Sequence, residues 1–411
     1  MRNMLIAQSG GPTAAINASL SGAIQEAIRN PEIGQVYGAL NGIQGVLAGT
    51  LVDLRAQFFR QEDFTILECT PAMALGSCRY RLPQEEEDPS VYEKIDQLFA
   101  QYEIGYFFYI GGNDSMDTVD KLSCHFARTG QDVKIIGIPK TIDNDLPGTD
   151  HSPGFGSSAK FIATAMLEII RDCYVYDTDS VTIVEIMGRH AGWLTASAAL
   201  PRTVGARAPQ LIYLPEVAFD PEQFIRDVKE VQSLTRNCIV AVSEGVRLAD
   251  GSFAAENFQS GVVDAFGHRY LSGVGKYLET LVREKIGCKV RSIELNVLQR
   301  CSSHLMSATD VREARKIGSY AVRFALQGHT GEMMVLERVS NRPYMVRIGA
   351  KPVSEIANRE QLVPRAWINK QGNDVTDEMF DYLLPLIEGE VPYPTQNGMP
   401  VHFVLDKTVV K

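Results

Sequence analysis

Apolar residues in this chain gather into short continuous runs, separated by stretches of helix length. Asn3 to Gln8, Gln35 to Leu40, Ile104 to Ile110, Val133 to Ile138, Ser180 to Ile186, Asn237 to Val242 and Lys289 to Leu295 read as strands. Most are unbroken rather than alternating, the pattern of strands covered on both faces. Helical patterns occupy Thr13 to Arg29, Ser115 to Thr129, Ser157 to Tyr174, Pro221 to Ser233, His268 to Lys285 and Ala308 to Gln327. Strand and helix in alternation predict an α/β fold of doubly wound, Rossmann-like design with mostly parallel sheets. A second domain is expected to start after Pro147-Gly148. From Gly331 a strand pair follows, Glu332 to Arg338 and Tyr344 to Gly349, broken at Asn341-Arg342-Pro343. Beyond it, residues 351–411 carry more Pro and acidic side chains and read as an extension packed on the body.

At about 150 residues per domain, 411 residues suffice for two or three domains with a sizeable core. The balance of 40 Lys+Arg against 50 Asp+Glu leaves a net charge of −10, the wrong sign for a protein living on nucleic acid or anionic membrane. A small phosphorylated substrate is still allowed, because a few placed cations make a local positive pocket. The Cys 7 are scattered and never form CxxC, so they read as reduced thiols. The apolar run at Met1 to Leu5 is too short for a signal peptide and no stretch approaches membrane-spanning length, so a cytoplasmic protein is expected.

Doubly wound folds bind ligands outside the carboxyl ends of their strands, which directs attention to the strand-to-helix turns. The first, Ser9-Gly10-Gly11-Pro12-Thr13, opens a helix at Thr13 and is either an anion cradle of backbone N–H groups or only a tight connection. Gly111-Gly112-Asn113-Asp114-Ser115 repeats that design with oxygen groups suited to a divalent cation, or with a simple helix cap. Lys140-Thr141-Ile142-Asp143-Asn144-Asp145 places two carboxylates beside a cation, enough for a proton acceptor, a metal partner and a phosphate clamp. At Met187-Gly188-Arg189-His190, a guanidinium suits a phosphate or hydroxyl, while His190 is either an acid/base or a structural histidine. GxGxxG is absent from the first turn and GxxxxGK[ST] is absent throughout, so these turns describe a phosphoryl-transfer site rather than a dinucleotide fold.

GGPTAAIN, GGND, PKTIDND and MGRHAGW, in this order over residues 10–193, resemble the phosphofructokinase family. Ser243-Glu244-Gly245 and the string from Arg291 to Arg300 extend the likeness, which spans about residues 3–340. The resemblance implies transfer of a phosphoryl group to the 1-hydroxyl of fructose 6-phosphate, with magnesium. ATP-using members carry GGDG and PGTIDND; Asp114 and Lys140 here match the pyrophosphate branch. A carboxylate at 114 opposes the α-phosphate of a nucleotide, and Lys140 adds a cation at the transferred phosphate. An ATP-using member with a rearranged loop, a member with broader sugar-phosphate use such as sedoheptulose 7-phosphate, and a non-catalytic subunit are the other readings.

Carried over by motif, Asp143 resembles the general base, with Lys140, Thr141 and Arg189 completing the catalytic set. Gly11, Arg79, Gly112, Asp114, Ser115 and Lys140 would hold the donor. Thr141, Ile142, Asp143, Met187, Gly188, Arg189 and Glu244 would hold the sugar, with Arg291 and Arg300 at its 6-phosphate. Asn113, Asp114 and Asp145 are the metal candidates; Asn113 replaces an aspartate of many relatives and shifts weight to the other two. Asn296 and Val297 replace a His or Tyr beside Gly near the 6-phosphate, and Ser180 replaces an arginine that crosses a subunit interface in bacterial relatives. Ser21 and Gln25 stand where allosteric relatives place effector-binding arginines. By the same resemblance residues 1–147, joined by about 296–350, form the donor domain, 148–295 the fructose 6-phosphate domain, and the active site lies between them in a homodimer or homotetramer.

Overall fold

The computed structural model describes residues 1–256 and 273–410. In it β1 (Arg2–Gln8) leads through α1 (Ile16–Arg29) to β2 (Ile33–Ala39), then α2 (Gly42–Ala48) and β3 (Leu51–Asp53). α3 (Gln61–Cys69) and α4 (Pro89–Gln101) precede β4 (Ile104–Gly111), α5 (Asn113–Thr129), β5 (Lys134–Pro139) and α6 (Phe155–Cys173). A second series runs β6 (Ser180–Ile186), α7 (Trp193–Ala196), β7 (Leu211–Tyr213), α8 (Pro221–Leu234), β8 (Asn237–Ser243), α9 (Val274–Lys285) and β9 (Lys289–Glu294). α10 (Ala308–Leu326) returns the chain to β10 (Glu332–Asn341) and β11 (Tyr344–Pro352); α11 (Asp377–Leu383), β12 (Thr395–Gln396) and β13 (Met399–Pro400) complete it.

Two α/β layers result. One sheet has the order β11-β10-β5-β4-β1-β2-β3, parallel except for its two edge strands, and the other has the order β7-β8-β6-β9, parallel throughout. The unbroken apolar runs have a direct cause. Met4 and Ile6 of β1 face the core shared with α1 and α10, whereas Leu5 and Ala7 face the one shared with α2, α4 and α5. In the second sheet Val181 and Ile183 pack toward α8 and α9, and Val184 and Ile186 toward α6 and α11. Each such side chain, fully buried, contributes about 1.5–3 kcal/mol. α1 and α10 approach closely because Gly22 and Gly318 lie at their contact: a Cβ on Gly22 would stand 1.9 Å from the Arg315 carbonyl oxygen, and one on Gly318 2.0 Å from that of Ser19.

Some expectations move. α1 begins at Ile16 rather than Thr13, so the first glycine turn is a longer loop and not the immediate start of a helix. α5 begins at Asn113, which puts Asp114 in its first turn. Of the helix expected at His268 to Lys285, residues 268–272 lie outside the described residues and the rest is α9. α4 was not expected, although Asp88-Pro89 is an ordinary helix start. After Pro352 the chain adds Val363, Ile368, Met379 and Leu383 to the core of the second sheet, and Leu405 to that of the first. Among the described residues, no helix is long and apolar enough to cross a membrane.

Candidate active site

All four signature turns follow the carboxyl ends of parallel strands, at β1, β4, β5 and β6, and hydrogen bonds stitch the first three to each other. Lys140, the first residue past β5, is 2 % exposed; its backbone N–H reaches Gly111 O at 3.0 Å and its Nζ donates to Gly11 O at 2.6 Å. Gly10, at φ +80, leaves room for that side chain: a Cβ there would lie 3.1 Å from Nζ. The Ser77 hydroxyl donates to Gly10 O at 2.7 Å, pinning the loop that bears the exposed Arg79 against the first turn. Gly111 is required by Ser115, whose Oγ would stand 1.9 Å from an added Cβ.

The catalytic loop is held from within and from behind. Asp143 N–H donates to Thr141 Oγ1 at 3.0 Å, and Thr141 pairs with Gly154 in an isolated bridge. Ile142 is 7 % exposed in the core, so only its backbone can meet a ligand. Met187 N–H donates to Gln299 Oε1 at 3.0 Å and Gly188 N–H to Glu244 Oε1 at 3.3 Å. Gly245 lets the two loops touch, since a Cβ there would come within 2.0 Å of Arg189 O. His190 Nδ1 lies 2.5 Å from Glu360 Oε1, which favours the structural over the catalytic reading of this histidine.

The cleft concentrates opposed charges out of water. Burial lowers Lys140 to about 8, against the pull of Asp143, Asp145 and Asp114. Burial raises Asp143, although Lys140, His190, Arg189 and Arg300 oppose the rise. Asp145 is lifted to about 7 by burial and then by the Asp143 charge, and Glu244 to about 8 by the same two causes. Carboxylates destabilised by desolvation and by each other form a set that a cation or a protonated substrate hydroxyl relieves. Among the described residues no three His, Cys, Asp or Glu side chains are arranged to hold a metal ion. A divalent cation held by one or two of these carboxylates and completed by substrate phosphates and water is compatible with this lining.

Three expected residues stand differently. Both ends of the Asn113 amide are used by the segment after β11: Oδ1 accepts from Asn358 N–H at 2.6 Å and Nδ2 donates to Arg359 O. Its side chain thereby clamps that segment. Arg291 pairs with Thr182 across the sheet, five residues before Met187, which at ~3.3 Å per residue leaves it about 16 Å short of the loop. Its Nη2 instead lies 2.6 Å from Asp172 Oδ2 on an exposed edge. Arg300 lies against the first glycine turn: its Nη1 would be 3.7 Å from a Cβ on Gly11.

Several partners in the site have no signal in the sequence. Gln361 N–H donates to Asp145 O at 2.7 Å, and the Trp193 indole N–H donates to Gln361 O at 2.9 Å. Glu216 Oε1 accepts from Gly192 and Val363 N–H groups at 2.8 and 3.0 Å. The segment 358–363 therefore crosses from α5 to the loop after β6. Gln299 alone had a local signal, its place beside Arg300. Ser21 and Gln25 are absorbed by Glu68, to which Ser21 Oγ donates at 2.9 Å.

This architecture matches known proteins along nearly its whole length. The phosphofructokinase family model matches residues 3–325. A protein of Halomonas elongata named pyrophosphate--fructose 6-phosphate 1-phosphotransferase is 42 % identical over 97 % of this chain and 94 % of its own. One of the same name from Methylococcus capsulatus is 41 % identical over 100 % and 97 %. A solved structure of pyrophosphate-dependent phosphofructokinase from Marinobacter aquaeolei superposes with a TM-score of 0.88 at 38 % identity, covering 100 % of this chain and 98 % of that one. With four signature turns meeting at the carboxyl edges of two parallel sheets and full-length likeness of this degree, the chain belongs to the phosphofructokinase family.

Proposed function

We propose that this chain transfers a phosphoryl group from pyrophosphate to the 1-hydroxyl of fructose 6-phosphate, yielding fructose 1,6-bisphosphate and phosphate, reversibly, in glycolysis and its reversal. The observation that carries this reading is the buried Lys140 ammonium, fastened to Gly11 and flanked by the charges of Asp143, Asp145 and Asp114. Lys140 occupies space under the donor turn and Asp114 adds negative charge at its rim, which favours a compact diphosphate over a nucleotide. The names of the relatives at about 40 % identity support the same donor.

In this mechanism Asp143 accepts the proton of the sugar 1-hydroxyl as its oxygen attacks the terminal phosphorus of pyrophosphate in line. Its raised pKa, set by burial, makes its carboxylate a stronger proton acceptor, which suits a general base. Lys140, Arg79 and Arg300 balance the charge of the transferred and leaving phosphates, with Gly11, Gly112 and Ser115 lining the donor turns. Thr141, Met187, Gly188, Arg189 and Glu244 hold the sugar. Asp145 and Asp114 would hold magnesium, which would supply charge neutralisation at the phosphates. Arg291 meets the 6-phosphate only from a second copy of the chain, in a cytoplasmic homodimer or homotetramer. Residues 1–147 with 296–350 serve the donor, 148–295 the sugar, and 351–411 pack across both.

The test compares pyrophosphate and ATP as donors to fructose 6-phosphate with magnesium, and sedoheptulose 7-phosphate as a second acceptor. Turnover with pyrophosphate and fructose 6-phosphate, and none with ATP, is expected. Turnover with ATP alone would overturn the donor assignment.

A further inference from the structure

We propose that Tyr382, on α11 in the C-terminal extension, is a positioning residue for the two carboxylates of the catalytic loop. This rests on the assignment of Asp143 as base. The Tyr382 hydroxyl accepts from Asn144 Nδ2 at 2.7 Å and donates to Asp150 O at 2.7 Å. Asn144 separates Asp143 from Asp145 and has φ +57, a left-handed conformation uncommon in a residue with a side chain. Its other amide atom, Oδ1, accepts from Ser152 N–H at 2.9 Å. The loop therefore turns at a residue whose side chain is gripped at both ends, and one of those grips comes from the far end of the chain.

The grip itself is rigid. Tyr382 is 7 % exposed, its ring 5.1 Å from that of Trp193 and 5.5 Å from that of Trp367, with the Arg338 guanidinium 4.6 Å over its face. Arg338 Nη1 also donates to Tyr382 O at 3.0 Å. The residue at the other end of the hydroxyl is equally fixed: Asp150 Oδ2 accepts from Arg338 Nη2 at 2.9 Å and lies 2.8 Å from His151 Nδ1. His151 Nε2 in turn lies 2.7 Å from Glu313, which accepts from the Tyr344 hydroxyl at 3.0 Å. Burial holds the Tyr382 hydroxyl well above the usual phenol range, so it remains a donor.

Asp143 and Asp145 flank one fixed peptide frame, so a rotation at Asn144 displaces both. A shift of about 1 Å in a reacting group costs on the order of 10²-fold in rate. Tyr382→Phe keeps the packed ring and removes only the hydroxyl, freeing Asn144 to turn.

The experiment measures kcat, KM and melting temperature for pyrophosphate-dependent phosphorylation of fructose 6-phosphate in Tyr382→Phe, Asn144→Ala, the double variant, Tyr344→Phe and Asp143→Asn. Tyr382→Phe should lower kcat by about 10-fold or more with KM for both substrates kept. The double variant should be no slower than Asn144→Ala alone, as expected for residues acting through one another. Tyr344→Phe, which weakens the same buried network without touching the loop, should lower the melting temperature and keep kcat. Additive losses in the double variant, or an equal kcat loss in Tyr344→Phe, would overturn the inference. Wild-type kcat in Tyr382→Phe beside an inactive Asp143→Asn overturns it alone; an active Asp143→Asn overturns the base assignment with it.

Discussion

The Lys140 ammonium and the Gly11 carbonyl oxygen, 2.6 Å apart, join the end of β5 to the turn after β1. One buried cation thus both shapes the donor turn and supplies its charge. Replacing it by an apolar chain of similar length, Lys140→Met, should reduce kcat by roughly 10²-fold or more while the fold survives, because charge at the transferred phosphate is lost. Steady-state kinetics beside circular dichroism check this; wild-type kcat in a folded variant would remove Lys140 from the chemistry.

Donor choice should follow the same two positions. Asp114→Gly combined with Lys140→Gly removes the rim carboxylate and vacates the space under Gly10 and Gly11. The double variant should gain measurable turnover with ATP and lose most turnover with pyrophosphate. Unchanged rejection of ATP would show that the exclusion lies elsewhere.

Asn113 should prove to be a clamp. Asn113→Ala leaves Asn358 N–H and Arg359 O without their partner, so the segment 358–363 should be cleaved faster by trypsin at Arg359. The magnesium concentration for half-maximal activity should stay where it was. A large rise in that concentration would restore Asn113 to the metal.

His151 predicts a pH effect on stability. Its imidazole lies between Asp150 and Glu313, with the charge of Asp310 also near and Arg338 and the Tyr344 hydroxyl packed on those carboxylates. Burial alone would lower its pKa, but bonds to Asp150 and Glu313 raise it from 6.5 to about 9. A folded-state value above the unfolded one means stability that is complete below about 6.5 and lost as pH rises through about 9, on the order of 3 kcal/mol. Melting curves across that window should fall more steeply for wild type than for His151→Asn. Parallel slopes would refute the charged histidine.

Much of the fold was readable because its cause is local. A strand covered on both faces needs an unbroken apolar run, so β1, β4, β5, β6 and β8 declared themselves, and glycines at their ends marked where backbone must approach a ligand. α4 carries a helix-start signal at Asp88-Pro89, whereas β3 and β7, three residues each, carry too little pattern to read. Around the candidate site, Asp143, Lys140 and Arg189 are named by motif, whereas Glu360, Gln361 and Tyr382 belong to no motif. Their partners lie far along the chain, and no spacing rule connects them.

By itself the sequence determined the layer architecture, the turns that carry chemistry and the family, since periodicity, glycine positions and short motifs are properties of neighbouring residues. Only the tertiary structure decided that Arg291 faces Asp172, that Asn113 serves the segment after β11, and that Tyr382 stands behind Asn144. The physical reason is that each contact depends on strand register and on how the C-terminal extension packs. Register and packing are settled by burial summed over the whole molecule, not by any one stretch of chain.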